Sequence, residues 1–284
     1  MLKIVRSFFI LLLLAAGPLR AADTETPPEH ALKDLVRRER ELFDEAEKNR
    51  NSPEFDQDNF KSQLQQLADA YETLLSQNPD FTAAHVAYGQ MLWKIDMRKE
   101  AVAQLIRANQ LDQDIPLVKN LLGDYLAEQG RPIEALPYFL AAVKLAPKEP
   151  LYHYNLGRLL FEAREDFLRT GSWSRPALDH AMLEAFRNAT ALAPDRLDFA
   201  SRYAAAFYDL QTPDWDAALA AWRALEPKVK PGFDLQLVQL QEATVLLKQN
   251  KPADARSLLD TVTDPKLAGQ KEKLVAQLPP TAEK

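Results

Sequence analysis

The chain has 284 residues, 46% of them hydrophobic, with a formal net charge of −6 and only 8 glycines. That is enough apolar material for one elongated domain or two compact ones, and its Ala, Leu, Gln, Glu, Lys and Arg content predicts an all-α fold. The absence of cysteine excludes disulfides, a thiol nucleophile, thiolate metal ligation and a lipid anchor on an N-terminal cysteine.

At the start of the chain, Lys3 and Arg6 precede an apolar run from Phe8 to Ala16, then Gly17-Pro18 and Arg20-Ala21-Ala22. This order predicts a secretory signal peptide over residues 1–22. The run is about half of the ~20 residues that a membrane span needs. The expected destination is the periplasm or the outside of the cell. An uncleaved N-terminal anchor is the alternative, because neither Arg20 nor Leu19 suits the position three residues before a cut. Removing residues 1–22 takes away Lys3, Arg6 and Arg20 and no acid, leaving 32 basic and 41 acidic residues and a net charge of −9. Such a surface repels phosphates, so no nucleic-acid partner is expected.

Residues 23–57 read as an N-terminal helix and a connecting loop. Leu32, Leu35, Val36, Leu42 and Phe43 form an apolar stripe on the charged segment Glu29–Lys48, and the loop covers Arg50–Asp58. A second helix, Phe60–Gln77, carries Leu64, Leu67, Tyr71, Leu74 and Leu75.

From Phe81 the sequence repeats. Gly89, Gly123 and Gly157 are spaced by 34 residues, as are Ala101 and Ala135, Leu105 and Phe139, and Ala108 and Ala142. Small residues in step allow backbones to approach where two helices cross. Within each repeat a turn is predicted at Asp96, Gly130 and Asn250, where a residue able to adopt a left-handed conformation ends a helix. Pro132 and Pro252 then open the next helix without losing a needed hydrogen bond. The next repeat is lengthened: Pro147 to Pro194 is 47 residues, so about 13 extra residues fall around Arg164–Asp179. Phe186 and Ala189 keep the register, while Met182 stands where alanine is expected. Further repeats run over Leu197–Val229, with Ala204, Ala218 and Trp222, and over Asp234–Val262, with Ala243, Ala255 and Leu259. The repeat region is drawn as 58–265, and residues 266–284 as a capping helix, Lys266–Gln277, and a tail.

The period and these residue types resemble the tetratricopeptide repeat family. The resemblance implies an all-α, right-handed superhelical solenoid of helix hairpins, with the large residue at Leu105 and Phe139 filling the gap between neighbouring repeats. It also implies that the first helix of each repeat lines a concave groove for a protein or peptide. Carried over by position, the groove would present Val86, Gln90 and Trp93, then Asn120, Asp124 and Glu128. Tyr154, Asn155, Arg158 and Phe161 follow, then Ser201, Arg202, Ala205 and Tyr208. Of these, Trp93, Asn120, Asp124, Tyr154, Asn155, Arg158, Arg202 and Tyr208 are the candidate partner-binding residues. Asn155 is the most family-like, because an asparagine there often bonds a ligand backbone in relatives. Trp173, in the insertion, is a further candidate anchor. For Trp93, Tyr154 and Trp173 the alternative is packing inside the fold.

No catalytic constellation is found. His30, His85, His153 and His180 lack metal-binding spacing, and no phosphate-binding loop, dinucleotide fingerprint or nucleophile elbow occurs. His85 and His153 occupy equivalent positions and are expected in the core, and His180 with Glu184 forms a surface pair. No cofactor or metal is expected. The leading expectation is a non-catalytic scaffold or adaptor in the cell envelope that binds a protein or peptide. An envelope-polysaccharide scaffold, and an enzyme with a site in the insertion, are the other readings.

Overall fold

A computed structural model describes residues 25–49, Ser52 and 55–280. The expected signal peptide, most of the loop at 50–54 and the last four residues lie outside them. Among the described residues there are helices and 3₁₀ turns and no strand. The helices are α1 (Pro27–Asn49), α2 (Gln57–Gln77), α3 (Thr82–Lys94), α4 (Arg98–Leu111), α5 (Pro116–Glu128), α6 (Pro132–Leu145) and α7 (Pro150–Glu162). There follow α8 (Arg164–Arg169), α9 (Arg175–Leu192), α10 (Leu197–Ala206), α11 (Trp215–Arg223), α12 (Phe233–Lys248), α13 (Pro252–Thr261) and α14 (Ala268–Val275). The chain divides within α5 into two units, the first ending at Tyr125 and the second beginning at Leu126.

Most helices pack on the helices next to them in the chain, as expected where one hairpin cannot bury its own apolar face, and α7 pairs with α9 across the short α8. In the first unit α1 pairs with α2, α2 meets α3, and α3 pairs with α4. The boundary drawn at residue 57 therefore cuts a hairpin. In the second unit α6 packs on α7, α7 pairs with α9, α9 meets α10, and the pairs α10–α11 and α12–α13 follow. Helix α14 closes the end against α12 and α13.

The turns inside the hairpins follow one design. Asp96, Gly130 and Asn250 all have positive φ, at 65°, 69° and 58°. The amide after each bonds back five residues: Met97 N–H to the Leu92 carbonyl (3.0 Å), Arg131 to Leu126 (2.9 Å) and Lys251 to Leu246 (2.9 Å). This closes the last helical turn and satisfies carbonyls that a helix end leaves open. Pro132 and Pro252 begin the helices that follow.

The recurring small residues lie at helix crossings. A Cβ added to Gly89 would fall 3.0 Å from the end of the Leu105 side chain, and one added to Gly157 only 2.8 Å from the Phe186 ring. Leu105 and Phe186 thus sit over the glycine of their own hairpin, because the missing Cβ makes room for them there. Phe186 also reaches the next hairpin, where the Arg202 guanidinium lies 4.9 Å from its ring centre. Met182 is fully buried despite replacing an alanine.

The insertion is structured. Helix α8 adds one short element, Gly171 turns the chain with φ 71°, and the Ser174 hydroxyl oxygen caps α9 by accepting from Ala177 N–H (3.3 Å). As a result α9 has 18 residues against 14 in α6. Trp173 is half-buried and meets the Phe167 ring edge-on at 6.4 Å. This is the packing alternative for that residue.

Candidate functional site

The second unit brings three first helices, α7, α10 and α12, into side-chain contact. Tyr154 of α7 stacks on Phe199 of α10, with ring centres 4.5 Å apart. Two turns towards its C-terminus, α7 carries Phe161, on whose ring the Arg202 guanidinium lies at 3.9 Å. Arg164 approaches the same ring at 5.4 Å. Stacking on an aromatic face suits guanidinium, which is planar and weakly hydrated. Past the end of α10, the Tyr208 hydroxyl donates to the Gln241 carbonyl of α12 (3.2 Å), and its ring leans on Trp215. Burial holds the Tyr208 phenol well above its usual pKa, so it stays a neutral donor.

Tyr154, Arg158, Phe161, Arg202 and Tyr208 are each half-buried. Tyr154 and Arg202 both meet the Phe186 ring, Arg202 lies on Phe161, Tyr208 follows past the end of α10, and Arg158 lies between Tyr154 and Phe161 in the sequence of α7, so the five make a row of rings and guanidinium groups. Asn155 lies beneath the row, 6% exposed. The aromatic packing expected as the alternative for Tyr154 is present, in its stack on Phe199.

The insertion buttresses one end of this row. Asp179 is buried, and its carboxylate accepts from Arg175 Nε (2.8 Å) and from the Gln211 amide (2.8 Å). Arg164 lies 3.6 Å from the same carboxylate. Arg175 also donates to the Asp209 carbonyl (2.7 Å), and the Asp209 side chain pairs with Arg202 at 3.5 Å. Insertion, α10 terminus and the Arg202–Phe161 contact are therefore one connected network. The sequence signal for it was slight: an i,i+4 Arg175–Asp179 pair that resembles any exposed helix pair.

In the first unit, Trp93 is half-buried, with the Arg98 guanidinium 4.1 Å over its ring. Asn120 is 2% exposed and donates to Asp124 (3.3 Å). Val86 is buried in the helix packing. Asn120 and Val86 therefore lie below the surface, and Trp93, Gln90 and Asp124 stay partly exposed.

The histidines have structural settings. His85 and His153 are buried, and each turns Nε2 to the carbonyl of the proline six residues earlier, Pro79 (3.0 Å) and Pro147 (2.8 Å). They tie down the loop that enters their helix, which the repeat pattern alone did not reveal. His180 and Glu184 are an exposed pair at 3.7 Å. Among the described residues no group of three or more His, Asp or Glu is placed to hold a metal ion.

Residues 120–166 match the family model described as tetratricopeptide repeat. No curated protein matches the chain by sequence. Among solved structures, the chain is similar to YrrB, described as a TPR protein with an unusual peptide-binding site. The identity is 16% and the TM-score 0.59, covering 72% of this chain and 99% of that one. It is similar also to PilF of Pseudomonas aeruginosa, at 15% identity and TM-score 0.59, covering 89% and 100%. A third is a structure of Naa15/Naa10 bound to HypK-THB, at 16% identity and TM-score 0.54, covering 89% of this chain and 34% of that one. Hairpin packing, turn design and these likenesses show an all-α helical repeat fold, similar to that of tetratricopeptide repeat structures, with the family model itself matched over residues 120–166.

Proposed function

We propose that the protein is an exported, non-catalytic adaptor that binds an extended segment of a partner protein along the row Tyr154, Arg158, Phe161, Arg202 and Tyr208. The observation that carries this reading is the continuity of half-buried aromatic and arginine side chains across successive first helices. Tyr, Trp and Arg dominate protein interfaces because they bury much area for little conformational entropy and keep a polar tip. The description of YrrB as peptide-binding supports the same use of the fold. Trp93 and Asp124 are proposed as further contacts in the first unit, and Trp173 as a support of the insertion.

Export rests on the charge and hydropathy pattern of residues 1–22. No helix among the described residues is long and apolar enough to cross a membrane. The test of binding is selection of peptides from a displayed random library against the full chain, followed by titration of the Arg158→Ala, Tyr208→Ala double variant. Loss of two interface anchors should weaken binding at least about tenfold, with an unchanged circular dichroism spectrum. Equal affinity in a folded variant would remove this row as the binding face. For export, deleting residues 1–22 should leave the protein in the cytoplasm, and unaltered fractionation would refute it.

A further inference from the structure

The last hairpins bury a carboxyl group that the binding row does not use. Glu242 lies in the middle of α12 with its side chain 3% exposed. Its Oε2 has one donor, Arg223 Nε of α11, at a long 3.4 Å, and that arginine is itself 58% exposed. Its Oε1 is buried with no hydrogen-bond partner. A buried ionised carboxylate is costly unless its oxygens are paired and hydrogen-bonded.

The 3₁₀ turn Glu226–Lys228 packs against α12, and it brings a second carboxyl, Glu226, towards Glu242. Ala255 and Leu259 of α13 and Leu274 of α14 share the core of α12, and the polar contacts of α12 on that side are made by Gln236, which donates to Thr263 (3.4 Å), and Gln239, which accepts from Thr261 (3.1 Å). The nearby Tyr208 hydroxyl is committed to the Gln241 carbonyl. Two carboxyls close together in a poorly solvated place do not both ionise. One proton held between them replaces repulsion by an O–H···O bond and gives the orphaned oxygen a partner.

We propose that Glu226 and Glu242 share a proton and act as a pH-operated clasp, fastening the Glu226–Lys228 turn to α12 in mild acid and loosening it above neutrality. Burial first, and then the Glu226 charge, push Glu242 up from 4.5 to about 7, with Arg223 opposing them. The folded value is raised, so the stabilisation is complete below the unfolded value near 4.5 and is lost as pH rises through about 7.

The test is a carboxyl-carbon NMR titration of the full chain with labelled glutamate, beside thermal melts at about pH 5.5 and about pH 8. A glutamate resonance absent from Glu242→Gln should titrate near neutrality. Glu226→Gln should move that midpoint down by about one unit or more. Wild-type melting temperature should fall between the two pH values, and should fall less in Glu242→Gln. If Glu242→Gln does not fold, the resonance that Glu226→Gln moves decides the matter. A midpoint in the ordinary carboxylate range, or one indifferent to Glu226→Gln, would overturn the proposal.

Discussion

Two hairpins solve the same crossing with different chemistry. In the α7–α9 hairpin of the second unit, the close approach is apolar: the Phe186 ring lies in the space Gly157 leaves open. In the α1–α2 hairpin of the first unit, the corresponding large residue is Tyr71, 34 residues before Leu105. It stacks on Tyr88 with ring centres 5.3 Å apart and donates its hydroxyl to buried Glu39 (3.0 Å). Lys94 of α3 donates to the other Glu39 oxygen (2.6 Å). Burial and the Glu39 charge hold the Tyr71 phenol far above its usual pKa, so it remains a donor. The register of the repeat survives in α2, where the ring is kept as Tyr71 and a buried carboxylate with two donors stands against it. What the repeat conserves is therefore the position of the contact, and either dispersion or a satisfied polar network fills it.

The comparison sharpens under substitution. Phe186→Ala should cost most, about 4 kcal/mol in denaturant unfolding, since it empties a fully buried site between two hairpins. A loss below about 1 kcal/mol would mean the crossing can collapse. Lys94→Ala should cost about 2 kcal/mol, because Glu39 stays buried with one donor gone. Its partial exposure lets water replace the lysine, which keeps the value below that for a fully buried pair. A neutral Lys94→Ala would show that Tyr71 alone satisfies the carboxylate.

The smallest effects separate the two kinds of glycine crossing. Gly157→Ala places a methyl 2.8 Å from a rigid ring, so overpacking of about 2–3 kcal/mol exceeds the gain in helix propensity of about 1 kcal/mol. Gly89→Ala meets the Leu105 side chain at 3.0 Å, a softer neighbour than a ring, and the Ala101 carbonyl at 3.3 Å, which needs a shift of only a few tenths of an ångström. There the two terms should cancel to within about 0.5 kcal/mol. Equal losses at both positions, measured by chemical unfolding, would show that ring rigidity is not the deciding term.

The places where these residues sit were legible to different degrees. Gly89, Gly157, Phe186 and the turn residues Asp96, Gly130 and Asn250 announced themselves, because backbone approach and positive φ admit few side chains. Their sequence spacing and their structural roles coincide. The first hairpin was less legible, since the longer connection between α1 and α2 displaces Glu39 from the 34-residue step and puts an acid where a small residue is expected. The row proposed for binding was legible in part. Tyr154, Arg158, Phe161, Arg202 and Tyr208 have partly exposed surfaces, whereas Asn120 and Asn155 lie beneath. A position on a helix sets direction, but depth depends on what the next helix brings. Likewise, nothing in the spacing of His85 and His153 revealed that they hold the carbonyls of Pro79 and Pro147, because the acceptor belongs to a loop whose path is set by packing.

The sequence by itself determined the helical repeat, its register, its turns and the residues that must be small. These follow from sterics acting over a few residues or at a fixed period. Only the tertiary structure decided which polar groups are buried, which find partners and which arginines lie on rings. Asp179, Glu39 and Glu242 look alike as acids on charged helices. They differ through the partners that other segments bring: Arg164 and the Gln211 amide for Asp179, Tyr71 and Lys94 for Glu39, and for Glu242 only the long contact from Arg223.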